Sequence, residues 1–500
     1  MKQLIHNGVI IPKYEPRGFH LGLHGTTIAL APEQEEMAVA WAKKLATEYV
    51  QDSVFRKNFF DDFRRELNVS PACSEEDFDF GAIINYVESE NARKAVMSRD
   101  EKKKLAAERK ALREENKKCY GCATVDGVQV ELANYMAEPS CIFMGRGKHP
   151  LRGSWKRGAK EEDITLNLSP DAPTPARQWK ERVWEPECMW VARWDDKLRG
   201  EKKYIWLSES SFIRQRREID KFNKALELAS KIDALRSHVR ASLDSQDLLR
   251  RKTATVCFLI DELKLRVGDE KDEDEADTVG ATTLRPEHIQ FQPNGITVLK
   301  FLGKDSIEWN IESKLPKVVV RNLKEFVREA DSFVFNGVRS ENVALFLDEV
   351  ALGFTPKVFR TFHATKVSKE ALQKARVRKS DPLFVKKYAA TLANLQAAKE
   401  CNHKRKLPKN WEEGLKKMEE RLEILAGKQT KTAGERVKEL QMRIGLKKAT
   451  RDYNLNTSLK SYIDPRTYFD WGKRVGFDWR SYYNKTLQQK FQWVESTGTS

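Results

Sequence analysis

The sequence has little of what marks a secreted or membrane-spanning protein. Its 500 residues include seven cysteines, an odd number spread along the chain, and no positively charged start is followed by an apolar signal core. No stretch approaches the roughly 18 uninterrupted apolar residues of a membrane-spanning helix, because Arg or Lys lies close to the apolar runs near Val256 and Val318. These absences predict an intracellular protein in a reducing environment, without a membrane partner.

Patterns for metal ligation are also scarce. Cys119 and Cys122 have the spacing of half a zinc site. No second pair of this kind and no HxxxH pattern follows, and Cys141 and His149 are isolated. We therefore expect no bound metal.

What the sequence has in excess is positive charge. Lys and Arg number 90 against 74 Asp and Glu, a net charge of +16. Such an excess indicates a polyanionic partner, and nucleic acid is the leading candidate. With 40% hydrophobic residues, a chain of this length can form about two to four domains.

Residue patterning predicts helices and one β meander. Helical patterns cover residues 33–50, 101–118 and 223–261, and the second begins with a capping box formed by Ser98 and Glu101. An acidic loop, 268–280, follows the third pattern. The meander is predicted from strands 288–292, 296–302 and 306–311, which place Lys304 at a hairpin tip.

A basic helical hairpin is predicted near the C-terminus. Between Trp411 and Leu446 the apolar residues recur at steps of three and four, with a break from Gly427 to Gly434. Residues 401–460 carry 16 Lys and Arg against 8 Asp and Glu, which is half of the net charge of the chain. We expect an antiparallel coiled coil with charged outer faces.

Five strings in the second half carry the most specific signal: LRVGDEKDEDEADTVG (265–280), FLGKDSI (301–307), KVFRTFHA (357–364), CNHKR (401–405) and SYIDPR (461–466). In this order they resemble the active-site motifs of the eukaryotic-type DNA topoisomerase I family, also called type IB. Further strings resemble the cap region and C-terminal domain of that family: PKYEPRG, VFRKNFFDDFRRE, MSRDEKKK, FMGRGKHPLRG and YNKTLQQKFQWV. The resemblance spans nearly the whole chain, without the long charged N-terminal extension of the family.

The resemblance implies a catalytic set, carried over residue by residue. Tyr462 would be the nucleophile, with Arg266, Lys304, Arg360 and His403 around the scissile phosphate. Guanidiniums and an imidazole N–H can stabilise the charge that gathers on a phosphodiester under attack, so neither a metal nor another cofactor is expected. Lys304 could protonate the leaving 5′ oxygen, and no clear general base for Tyr462 is apparent.

A second group of residues is expected to touch DNA without taking part in the chemistry. Arg146, Asp305, Lys148 and Ser461 match positions near the cleavage site or in basic strings. His149 and the basic residues of the hairpin are expected either to contact phosphates of the DNA or to make no contact with it.

The resemblance also implies an α+β, multidomain architecture: a two-lobed DNA clamp. The mixed α/β cap would cover residues 1–210, and the mainly helical catalytic lobe, of the tyrosine recombinase and type IB kind, residues 211–403. The coiled-coil linker would cover 404–450 and a small helical C-terminal domain 451–500. Tyr462 would then join the other four residues from a distant part of the chain.

The implied function is relaxation of supercoils through a transient 3′-phosphotyrosyl link to double-stranded DNA, without ATP, a metal or a small-molecule substrate. Two alternatives remain open: a tyrosine recombinase, and an architectural DNA-binding protein without catalysis. A monomer is expected. Its location would be the nucleoid or cytoplasm if the source is prokaryotic, perhaps archaeal, and the nucleus if it is eukaryotic.

The residue before the nucleophile generates a prediction about drugs. It is usually Asn in eukaryotic members but is Ser461 here, and in the family it lies where camptothecin-type drugs enter the nick. Because Ser lacks the carboxamide, we expect weak camptothecin binding. Low micromolar camptothecin should leave the amount of covalent protein–DNA complex on a denaturing gel unchanged, whereas Ser461→Asn should make it increase. Strong accumulation with the unmodified chain would contradict the prediction.

Overall fold

The computed structural model describes residues 1–145, 147–269, 279–304, 307–408, 410–427 and 433–497. The chain divides into two compact units, Met1–Arg214 and Gln215–Ser500. Both contain helices and strands, so the α+β, multidomain class is confirmed. None of the helices in the described ranges is long and apolar enough to cross a membrane.

The first unit combines short sheets with four helices among its described residues. The sheet orders are β1-β5-β6, β3-β2-β4, β7-β8 and β10-β9-β11-β12. The helices are α1 (Pro32–Ala42), α2 (Ser53–Leu67), α3 (Gly81–Val96) and α4 (Arg99–Tyr120). The strands are β1 (Leu4–His6), β2 (His20–Leu23), β3 (Thr26–Ala29), β4 (Phe78–Asp79), β5 (Cys122–Val125), β6 (Val128–Glu131), β7 (Cys141–Ile142), β8 (Trp155–Lys156), β9 (Thr165–Asn167), β10 (Glu181–Val183), β11 (Trp190–Asp195) and β12 (Lys202–Trp206).

An aromatic cluster forms one of the two cores of this unit. Asp52 caps α2 by accepting hydrogen bonds from the backbone N–H groups of Val54 (3.0 Å) and Phe55 (3.2 Å). The apolar face of α2 is buried, and its Phe59 ring stacks on Trp41 of α1 with 4.5 Å between centroids. The second core lies around β1, β5, β6, β9, β11 and β12.

The second unit is mainly helical. One apolar core lies between α5 to α9 and the meander sheet, and another joins α9, α10 and the last helices. The sheet has the order β13-β14-β15, with strands β13 (Ile289–Phe291), β14 (Thr297–Gly303) and β15 (Ile307–Ser313). The helices are α5 (Phe212–Ser242), α6 (Leu248–Leu263), α7 (Lys317–Arg328), α8 (Ser340–Asp348), α9 (Lys357–Lys374), α10 (Leu383–Glu400), α11 (Trp411–Ala426), α12 (Ala433–Ala449), α13 (Leu455–Ser461), α14 (Arg466–Val475), α15 (Lys485–Lys490) and α16 (Val494–Thr497).

Two of the predicted helices were wrong in extent. The predicted helix 33–50 ends at Ala42, where the N–H groups of Lys44 and Leu45 donate to carbonyls three residues back instead of four. The predicted helix 223–261 is interrupted between α5 and α6, where Asp247 caps α6 through the N–H of Leu249 at 2.9 Å. The capping box at Ser98 and the antiparallel meander are confirmed.

The predicted helical hairpin is present as α11 and α12. The start of α11 meets the end of α12. The guanidinium carbon of Arg451 lies 5.3 Å from the centre of the Trp411 ring. Glu419 of α11 forms an ion pair with Lys448 of α12 at 2.7 Å. The two helices therefore run antiparallel. On α12, Leu440 and Ile444 are buried, and this helix also packs on α10. Coiled-coil packing and the ranges of the four predicted domains stay predictions.

Candidate active site

Tyr462 lies directly after the end of α13, in a turn that α9 fixes. Its backbone N–H donates to the carbonyl of Ser458 at 3.0 Å. Thr365 of α9 donates its hydroxyl to the Tyr462 carbonyl at 3.2 Å and accepts from the N–H of Asp464 at 3.0 Å. One threonine thus holds the backbone that directly follows this tyrosine.

Arg360 is a buried cation that faces the tyrosine ring. Only 2% of it is exposed, and its guanidinium donates to the carbonyls of Cys401 (2.8 Å) and Lys264. Its guanidinium carbon lies 5.0 Å from the centre of the Tyr462 ring. Because these carbonyls are neutral, the full positive charge remains available to the tyrosine.

His403 completes the surroundings of the ring. It stacks on Tyr462 with 4.9 Å between centroids, and its Nε2 and Nδ1 lie 3.1 Å from Arg360 and 2.7 Å from the hydroxyl of Ser458. Burial and the charges of Arg360 and Arg266 hold the pKa of His403 well below its ordinary value, so the ring is neutral. Since a guanidinium can only donate, Nε2 accepts from Arg360 and the ring proton is on Nδ1.

The net charge around Tyr462 favours its phenolate. Burial raises the pKa of this phenol, but the charges of Arg360 and Arg266 and a hydrogen bond from Arg360 outweigh burial and leave the pKa below its ordinary value. A tyrosine with a lowered pKa is a better nucleophile at neutral pH.

Arg266 is positioned by a close approach of two glycines. Its carbonyl accepts from the N–H of Ala281 at 2.8 Å. A Cβ on Gly280 would lie 2.4 Å from the Cα of Gly268 and 2.8 Å from the Arg266 carbonyl oxygen. The backbone around Arg266 therefore requires glycine at position 280.

Of the five residues predicted to be catalytic, these contacts and charges bring together Tyr462, Arg360, His403 and Arg266. Lys304 is placed by a different element: it follows Gly303 at the end of β14, where Gly303 pairs with Ile307 across the hairpin. It therefore lies at the turn that the sequence predicted.

The predicted DNA contacts are placed less completely. Arg146 and Asp305 lie outside the described residues. Lys148 is exposed in the loop between β7 and β8, and Ser461 is the half-buried last residue of α13. His149 is buried against Phe143, at 5.0 Å between centroids, and accepts from the N–H of Leu151. The ring is therefore a packing element of this loop, and the expectation that it contacts phosphates or nothing stays a prediction.

Sequence reasoning missed two residues that orient the site, Ser458 and Thr365. Ser458 lies one helical turn before Tyr462, and Thr365 lies five residues after Arg360 on α9. Helical spacing from a known nucleophile could have identified Ser458. Thr365 acts across a long-range contact that spacing does not reveal.

Metal-ligating side chains converge once in the described part of the chain, in the first unit. Atoms of His24, Cys73 and Asp77 lie within 4.8 Å of one another. Asp77 already pairs with His24 at 3.4 Å and accepts from the backbone and hydroxyl of Ser74. Cys119 and Cys122 do not belong to this group.

Three family descriptions together match almost the whole chain. Residues 1–207 match "Eukaryotic DNA topoisomerase I, DNA binding fragment", residues 210–436 match "Eukaryotic DNA topoisomerase I, catalytic core", and residues 434–500 match "C-terminal topoisomerase domain".

Individual relatives agree with these matches. The chain is 32% identical to DNA topoisomerase 1 of Drosophila melanogaster, across 98% of this chain and 54% of that protein. It is 31% identical to DNA topoisomerase 1 of Homo sapiens, across 99% and 70%, and 31% identical to the human "DNA topoisomerase I, mitochondrial", across 99% and 90%. The chain thus spans about half the length of the fly relative.

The lowered pKa of Tyr462 can be measured directly. Phenolate absorbance, followed against pH, should differ between the unmodified chain and Tyr462→Phe by one phenol that titrates below the ordinary value of about 10. In an Arg360→Met background this titration should move to higher pH, because the cation that stabilises the phenolate is lost. Arg328→Met, at an exposed position, is the matched control. A phenol that titrates at or above the ordinary value would refute the electrostatic assignment.

Proposed function

The chain belongs to the eukaryotic DNA topoisomerase I family, and on that basis we propose that it relaxes supercoiled DNA of either sign by a type IB reaction. The observation that carries the proposal is the contact of the Tyr462 ring with both Arg360 and His403. An activated phenol beside a fixed cation suits attack on a phosphodiester.

In the proposed reaction the Tyr462 oxygen attacks the scissile phosphorus. The new P–O bond gives a 3′-phosphotyrosyl link, and the bond to the 5′ oxygen breaks. Arg360 and Arg266 stabilise the charge on the nonbridging oxygens. Lys304, at the hairpin turn, is the proposed proton donor to the leaving oxygen.

His403 is proposed to change partners when DNA binds. In the free protein its Nε2 accepts from Arg360, so this atom has no proton to offer a phosphate. If Arg360 turns its N–H to the phosphate, the bond to Nε2 is released and the ring can take up the other tautomer. His403 then becomes the N–H donor that its motif implies.

Resealing needs no external energy source in this scheme. One phosphodiester is exchanged for another, so the link to Tyr462 preserves the bond energy for religation. While the link exists, torsional strain in the DNA drives rotation of the free end. No step of the proposed reaction requires ATP.

The wider arrangement is also a proposal. Double-stranded DNA would be held by a two-lobed clamp with α11 and α12 as a basic arm, and Lys148, Arg146, Asp305 and Ser461 would touch it. The protein would act as a monomer with weak camptothecin binding.

The relatives reported above are animal proteins, which supports an intracellular and nuclear location and gives the prokaryotic alternative no support.

The decisive experiment is relaxation of supercoiled plasmid in EDTA without ATP. The unmodified chain should convert the plasmid to a ladder of topoisomers, and Tyr462→Phe, which lacks only the hydroxyl, should abolish relaxation while it still binds DNA. Binding without relaxation by the unmodified chain would favour the architectural alternative. Joining of strands from two different duplexes would favour a recombinase.

The support that Ser458 gives to His403 should be visible in the rate. Ser458→Ala removes the partner of Nδ1, so the ring loses its fixed orientation and single-turnover cleavage should slow by ~10- to 100-fold. Thr457→Ala, next to it on α13, is the control and should leave the rate unchanged. Equal rates for both variants would mean that the Ser458 hydrogen bond does not position His403.

A further inference from the structure

An ion cluster joins α5 to α15 and has no part in the reaction described so far. Glu218 Oε2 lies 2.6 Å from the ammonium of Lys221 and 3.4 Å from that of Lys490. The side chains are 22%, 32% and 6% exposed, respectively. Two ammonium groups thus share one carboxylate in a largely enclosed place.

The chain between Tyr462 and α14 is attached to this part of α5. Arg466 donates to the side-chain oxygen of Asn223 at 2.9 Å and lies over Trp493 at 5.6 Å. Phe222, next to Lys221, is buried in the same apolar cluster against which Tyr462 packs. The ammonium groups of Lys221 and Lys490 lie over the rings of Phe222 and Phe491 in this cluster, so the ions and the nucleophile border the same apolar core.

The electrostatics of the cluster single out Lys221. Burial lowers the pKa of Lys221, Glu218 raises it, the charge of Lys490 lowers it further, and the net result lies below the ordinary lysine value. The negative charge of a Tyr462 phenolate also raises the pKa of Lys221. A lysine of this kind can accept a proton at a pH where an exposed lysine cannot.

We infer that Lys221 accepts the proton of the Tyr462 hydroxyl during strand cleavage and returns it during resealing. The inference rests on the proposed function and supplies the base that the motifs left unidentified. When Lys221 is neutral, Lys490 and Glu218 remain as a complete ion pair, so the cluster holds no net charge.

The proton steps balance in both directions. In cleavage, neutral Lys221 takes the phenol proton, directly or through one water. The phenolate oxygen bonds to phosphorus as the bond to the 5′ oxygen breaks, and that oxygen takes a proton from Lys304. In resealing, the 5′ hydroxyl returns its proton to Lys304 and attacks phosphorus, and the departing phenolate regains its proton from Lys221.

A cavity gives Lys221 access to water. It has a volume of about 280 Å³ and lies between α5 and the start of α9, where Lys221 shares its walls with Arg217, Lys224 and Lys357. A water molecule fits such a polar space. The ammonium can therefore exchange its proton with solvent between turnovers.

The test is single-turnover cleavage of a DNA substrate whose short 5′ product diffuses away, followed from about pH 6 to about pH 10. Lys221→Met should slow cleavage by about 100-fold at neutral pH. Lys221→Arg keeps the positive charge but cannot release a proton in this range, so it should be as slow as Lys221→Met. Recovery of the rate in Lys221→Arg would overturn the inference, because a cation alone would then suffice.

A second comparison identifies the group whose titration limits the cleavage rate. Lys490→Met removes a like charge, which raises the pKa of Lys221, so the rise of the cleavage rate should move to higher pH. In a Lys221→Arg background the same change should cause no such shift. If the shift persists in the Lys221→Arg background, it arises from the titration of Tyr462, and the inference about Lys221 is wrong.

Controls separate this inference from the proposed function and from misfolding. Lys224→Met changes another basic residue of the same cavity, one whose ammonium binds the carbonyl of Gly353, and should leave rate and pH profile unchanged. Circular dichroism and DNA binding should be unaltered in Lys221→Arg. If the unmodified chain forms no covalent complex, the proposed function fails; if it does and both Lys221 variants match it, only the role of Lys221 fails.

Discussion

The burial of the Arg360 guanidinium is the interaction on which the site depends. A buried cation is costly unless its N–H groups find partners, and here two backbone carbonyls, a neutral imidazole and the Tyr462 hydroxyl accept from it. These carbonyls follow α6 and α10, so the ends of two helices must meet α9 at one point. The carbonyls and the imidazole carry no charge, so they leave the charge of the guanidinium unopposed. That positive charge therefore acts on the Tyr462 ring.

The position of Tyr462 follows from the same convergence. Thr365 and Arg360 are both on α9, and they hold the backbone and the ring of one residue from about a turn apart. Ser458 and Tyr462 are likewise one turn apart around α13, so the helix that presents the nucleophile also orients His403. Two helices therefore determine most of the geometry. Rigid supports of this kind are what a precisely placed nucleophile needs.

Local signals in the sequence predicted local features well. The turn residues after the strands identified the meander and the place of Lys304, and the Ser98 capping box marked the start of α4. The helix ends at 42 and 242 were missed because tighter turns take over there, in which Lys44 donates to Trp41 and Ser245 to Ser242, and no Gly or Pro marks either turn in the sequence. The catalytic residue types came from motif resemblance. Glu218, Lys221 and Lys490 escaped because their importance lies in a contact across about 270 residues, which no single-sequence pattern encodes.

The contact between Gly268 and Gly280 also makes the position of Arg266 depend on a residue well along the chain. With the two backbones touching, a single methyl group on Gly280 would have to push Gly268 away. The displacement would reach Arg266, because its carbonyl oxygen lies 2.8 Å from the same Cβ position and accepts from the N–H of Ala281. The smallest uncharged substitution can therefore misplace the arginine through backbone geometry alone.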